Sequence, residues 1–152
     1  MIEVEADQRE ILQRELRRVM PSLAPATTLR HQYERLSEAL GAGAIPQELM
    51  GTLEQVLEMM LSTSRARRAY GPTGERALIA LYHQTPAGVR FRQLVNQVNR
   101  SLDMLRGQRI ERLSFSLKRP GTYQLTIGTD HCQLLVSIGR DGISVDQLSI
   151  GV

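Results

Sequence analysis

Ile110-Glu111-Arg112-Leu113-Ser114-Phe115-Ser116-Leu117 opens a stretch in which apolar and polar residues alternate. The alternation continues through Tyr123, Leu125 and Ile127, then Cys132, Leu134, Val136 and Ile138. A period of two belongs to strands with one face buried, because successive side chains point to opposite sides of a sheet. Arg119-Pro120-Gly121, Gly128-Thr129-Asp130 and Arg140-Asp141-Gly142 interrupt it with turn-forming residues. Ile143 and Val145 keep the phase, whereas Leu148 and Ile150 slip by one, which predicts a bulge near Asp146-Gln147. The last third of the chain therefore reads as a four-stranded antiparallel meander with one face packed on helices.

Upstream, the period changes to that of a helix. Ile11, Leu12, Leu16, Val19 and Met20 form one apolar stripe, which Pro21 ends. Thr27 or Thr28 caps a second helix with Leu29, Tyr33, Leu36 and Leu40 on its apolar side. Pro46 opens a third, carrying Leu49, Leu53, Val56, Leu57, Met60 and Leu61 toward Arg68. A fourth, Glu75 to His83, is apolar nearly all round, which predicts a helix buried on most sides beneath the sheet. The fifth, Arg90 to Arg106, has a clean stripe of Phe91, Leu94, Val95, Val98, Leu102 and Leu105, with Gly107 at its end. The fold class expected is α+β: about three amphipathic helices, then two core helices packed on the meander. Residues 1–70 are expected to form a helical arm or bundle and 71–152 an α+β domain, or the two run together as one continuous domain.

The chain has 152 residues, 41% of them hydrophobic and 23% charged, which is enough apolar material for a core and too much for global disorder. No apolar run is long enough for a membrane-spanning helix, and the acidic N-terminus differs from a signal peptide. With a single cysteine there is no internal disulfide framework. These features lead us to expect a cytoplasmic protein that does not engage membranes.

Charge is segregated along the chain. Residues 65–119 hold eleven Arg and one Lys against Glu75, Asp103 and Glu111, a net +9 within a chain of net +3. Such a segment meets an acidic partner, pairs with its own acidic flanks or faces solvent. The fifth helix presents Arg90, Arg92, Gln93, Asn96, Gln97, Arg100 and Arg106 away from its stripe. These side chains bond well to phosphates and to base edges, and Arg65, Arg67 and Arg68 would add backbone contacts. Helix four, a Pro-Gly turn and helix five give a loose pattern of a helix-turn-helix with a β-wing, although helix five has no internal break. Scarce aromatics argue against a single-strand stacking platform.

The competing reading places the acidic helices on that basic face. Glu3, Glu5, Asp7, Glu10, Glu15, Glu54 and Glu58 are the available partners, within the chain or across a dimer. The narrow stripes of the first three helices suit association through Leu12, Leu16, Val19, Leu29, Tyr33, Leu36, Leu40, Leu53, Leu57 and Met60.

Catalytic chemistry has little support. Three scattered His and one Cys provide no metal-ligand spacing, and Gly41-Ala42-Gly43-Ala44 lacks the Lys of a phosphate loop. Asp130-His131-Cys132 is the one crowded polar triplet, but strand alternation turns His131 away from its neighbours. No catalytic residue, cofactor or metal is expected. The function expected is a self-associating adaptor or assembly module; the alternative is a DNA- or RNA-binding protein.

Overall fold

The computed structural model describes residues 1–151. Their elements run β1 (Ile2–Glu3), α1 (Ala6–Val19), α2 (Thr28–Ala42), β2 (Ala44–Ile45), α3 (Met50–Ser62), α4 (Arg65–Tyr82) and α5 (Pro86–Asp103), then β3 (Ile110–Arg119), β4 (Thr122–Thr129), β5 (Cys132–Gly139) and β6 (Gly142–Ile150). This is an α+β chain, with helices first and an antiparallel meander of order β3-β4-β5-β6 last. It divides into two compact units, Met1–Val89 and the residues from Arg90 onward. The division lies in the first turns of α5, not at 70/71, because α4 crosses position 70 without leaving the first unit.

In the first unit, the stripes of α1, α2 and α3 converge on one core. Leu12, Leu36, Leu40, Leu53, Leu57 and Met60 are completely buried there, and Leu16 and Tyr33 nearly so. Leu78 and Leu81 of α4 join the same cluster. The all-round hydrophobicity of Glu75 to His83, which predicts burial beneath the sheet, is satisfied by helices instead. A short clip of β1 on β2 pairs Ile2 with Ile45.

Local chemistry explains the boundaries. Glu5 and Gln8 form a capping box at the start of α1, with the Glu5 N–H donating to Gln8 Oε1 at 3.0 Å. The Thr27 hydroxyl accepts from the Arg30 N–H at the start of α2. The third helix does not reach Arg68: the chain turns at Ser64, whose φ is 57°, and α4 begins. Gly71 breaks α4 in turn, at φ 71° and ψ −178°, and Pro72 opens the second piece.

In the second unit, the register aligns three rows of apolar residues across four strands. They are Leu113–Ile127–Leu134–Leu148, Phe115–Leu125–Val136–Val145 and Leu117–Tyr123–Ile138–Ile143. Partners directly opposite share a face, so all twelve lie on one side of the sheet. The rows stay aligned because β6 carries one extra residue, Asp146, where the pairing shifts from Leu135–Gln147 to Val136–Val145. α5 lies on this side through Val98, which is buried with Ile127, Leu134 and Val136.

Candidate functional site

One helix cannot cover a four-stranded face. An α-helix with its side chains is about 10–12 Å across, whereas four strands about 4.8 Å apart span more than that. The consequence is visible along each row. Leu134 and Val136 on β5 are 0% and 1% exposed, but Leu113, Phe115 and Leu117 on β3 are 64%, 65% and 64% exposed. Tyr123 on β4 is 53% exposed beside them. On α5, Phe91 and Leu94 flank Gly142 at the β5–β6 turn, so the helix runs against the direction of β5. A right-handed helix in that orientation turns the flank bearing Val95 and Leu102 toward β3, and both residues are exposed. The result is an apolar step, with the β3–β4 half of the sheet as floor and the α5 flank as wall.

The opposite face of the sheet is polar, and Asp146 organises it. Its carboxylate accepts from Lys118 Nζ and from Gln124 Nε2, each at 2.9 Å, and from the Ser137 hydroxyl. Those donors hold its carboxyl at about 2, below the ordinary range.

The basic residues separate into two groups. Arg65 belongs to the first unit, where its Nε and Nη2 donate to Glu15 at 2.9 and 3.2 Å. Arg68 donates to the Thr63 carbonyl at 3.0 Å, and Arg67 stands 3.9 Å from Glu75. The second group is on α5, where Arg90, Arg92, Gln93, Asn96, Gln97 and Arg100 are all exposed. Arg90 lies over the Phe91 ring at 5.2 Å, and Arg106 pairs with Asp103 at 2.9 Å. No acid pairs with Arg92 or Arg100 among the described residues.

The residues expected to associate helices between molecules are placed differently. Leu12, Leu16, Tyr33, Leu36, Leu40, Leu53, Leu57 and Met60 are interior to the first unit, and Val19 packs partly against that core. Leu29 alone among the ten is exposed, at 37%. A stripe on an isolated helix looks the same whether its partner is in the same chain or another, and here it is the same chain. The exposed apolar surface lies instead on β3, whose alternation predicts one buried face. Its signal was the number of apolar residues on that face set against the single stripe on α5.

Asp130, His131 and Cys132 border an open depression of about 340 Å³, with Glu111 and Arg112 on its rim. Cys132 is buried and its thiol donates to Gln108 Oε1 at 3.2 Å. His131 Nε2 lies 3.5 Å from Asp130 Oδ2, and both are on the surface. The three side chains do not form a nucleophile–base line. No helix of the described residues is long and apolar enough to cross a membrane. No protein-family model, curated protein or solved structure matches the chain.

Proposed function

We propose that this protein is a non-catalytic, self-associating interaction module whose working surface is the open half of the meander. One observation carries the reading: Leu113, Phe115 and Leu117 stand about two-thirds exposed in a continuous apolar surface with Tyr123. Contiguous apolar surface of this kind is disfavoured in water and marks sites of protein contact. Sedimentation velocity over a concentration series tests it. Wild type is expected to associate in the micromolar range, and Leu113→Lys with Leu117→Lys to weaken association by about tenfold or more. A wild type that stays monomeric throughout removes the reading.

A second reading rests on the outer face of α5, where Arg, Asn and Gln stand exposed with Asp103 as the only acid. It is a nucleic-acid contact. Binding of duplex DNA and RNA across a salt titration, with Arg92→Ala and Arg100→Ala, tests it. Affinity falling linearly in log–log salt, with a shallower slope for the double variant, supports it. Absence of binding at low salt eliminates it.

A further inference from the structure

We infer that a second copy of this chain pairs with β3, edge to edge and antiparallel, on a two-fold axis through Phe115. The inference deepens the interaction reading above and rests on it.

β3 is an edge strand, so one side of its backbone has no neighbour in the sheet. Its centre, Leu113-Ser114-Phe115-Ser116-Leu117, reads the same in both directions. A palindromic strand has a particular property in an antiparallel two-fold pair: every side chain meets one of its own kind. Phe115 faces the partner's Phe115, Leu113 faces the partner's Leu117, and Ser114 faces the partner's Ser116. The serines share the polar face of the sheet, and the Leu and Phe share the apolar one, so pairing in this register keeps both faces continuous.

Three further features fit. Irregular pairing with β4 between Ile110 and Arg112, and again between Leu117 and Arg119, brackets the palindrome and confines regular strand to it. Beyond it the same direction of pairing brings Glu111, which accepts from Arg109 at 2.9 Å, toward the partner's Arg119. Arg112 comes opposite the partner's Lys118, a like-charge approach that Asp146 moderates through its 2.9 Å contact with Lys118. Finally, edge strands that must stay single are blunted by proline or by charges within the strand. Between Leu113 and Leu117 there is neither.

The paired strands bring six apolar side chains side by side, with an α5 flank bearing Val95 and Leu102 on each side. Cross-strand pairs of this kind each contribute modestly, so a dimer in exchange with monomer at micromolar concentration is expected.

Disulfide trapping of the full chain in a Cys132→Ser background tests the register. Residues directly opposite in an antiparallel pair have Cα atoms about 4.5–5.5 Å apart, within the reach of a disulfide. Phe115→Cys is expected to give a linked dimer on mild oxidation. Ser116→Cys is expected to link poorly with itself, since its partner is Ser114, and to link well when mixed with Ser114→Cys. All three positions lie on the exposed strand, and an unchanged melting temperature confirms that each variant is folded. A dimer by sedimentation in which Ser116→Cys links as readily as Phe115→Cys overturns the palindromic register and leaves the interaction reading standing. A protein that sediments as monomer throughout and gives no linked dimer overturns both.

Discussion

Glu15 ties α1 to α4 through a buried cluster. It is 1% exposed, and its carboxylate accepts from Arg65, Arg18 and the Tyr70 hydroxyl. Burial alone would raise its pKa, but these three donors outweigh it and hold the group at about 2, against 4.5 when unperturbed. A carboxylate depressed by folding stabilises the native state above its unfolded pKa and loses that contribution as pH falls toward its folded value. The effect lies between about pH 4.5 and 2, and 1.36 kcal/mol per pKa unit makes it about 3 kcal/mol. Glu15→Gln is therefore expected to destabilise the protein at neutral pH by a few kcal/mol and to flatten the loss of stability on acidification. Denaturant titrations at several pH values check both; a variant that loses stability with acid as steeply as wild type would place the sensitivity elsewhere. In the sequence Glu15 is one of several acids available to the basic segment, and nothing local distinguishes it from the others. Two of its three partners are fifty and fifty-five residues away, and a helical pattern does not report which polar position is interior. The cap at Thr85, by contrast, is legible in the sequence. It precedes Pro86, a first-turn residue, and its hydroxyl accepts from the Gly88 N–H at 3.2 Å, so α5 starts at Pro86 and not at Arg90.

At the scale of elements, alternation and helical periodicity located most of the secondary structure, because each follows from backbone geometry within a few residues. The β6 bulge was readable for the same reason: a one-residue slip in an apolar pattern has to be absorbed where it occurs, and Asp146 absorbs it. What an element packs against is not local. Leu78 and Leu81 required burial, and nothing in residues 75–83 distinguishes a sheet from a bundle of helices as the surface that provides it. The break in α4 is the element most open to a direct test. Gly71 combines positive φ with extended ψ, a region that side-chain-bearing residues avoid, while nothing lies within 4 Å of where a Cβ would stand. Gly71→Ala is expected to cost about 1–3 kcal/mol from backbone strain alone. Pro72→Ala is expected to cost much less, since the glycine still permits the break. Equal stability of Gly71→Ala and wild type would mean that α4 can straighten without loss.

At the scale of the whole molecule, the basic middle third is not one surface. The first unit holds ten Arg against eleven acids and the second nine basic residues against five acids, so the chain's +3 resolves into a near-neutral unit and a unit of net +4, and the basic segment is divided between them. The cores are just as unequal. Among the described residues, the first buries sixteen apolar residues in one cluster and the second four. A small unit with a shallow core and half of its apolar face in water gains much from anything that covers that face, by mass action on the folded form. If the covering is a second copy, the meander's stability depends on protein concentration and the first unit's does not. Hydrogen exchange distinguishes the two within one sample. Amides of β3 to β6 are expected to gain protection as concentration rises from well below to well above the association midpoint, most strongly in β3. Amides of α1 to α3 are expected to hold constant. Protection that is independent of concentration in both units would mean that the meander is stable with its face open; a rise shared by both would place the contact beyond β3. Because the comparison is internal to each sample, it separates assembly through the sheet from a general effect of crowding or aggregation, which no measurement of mass alone can do.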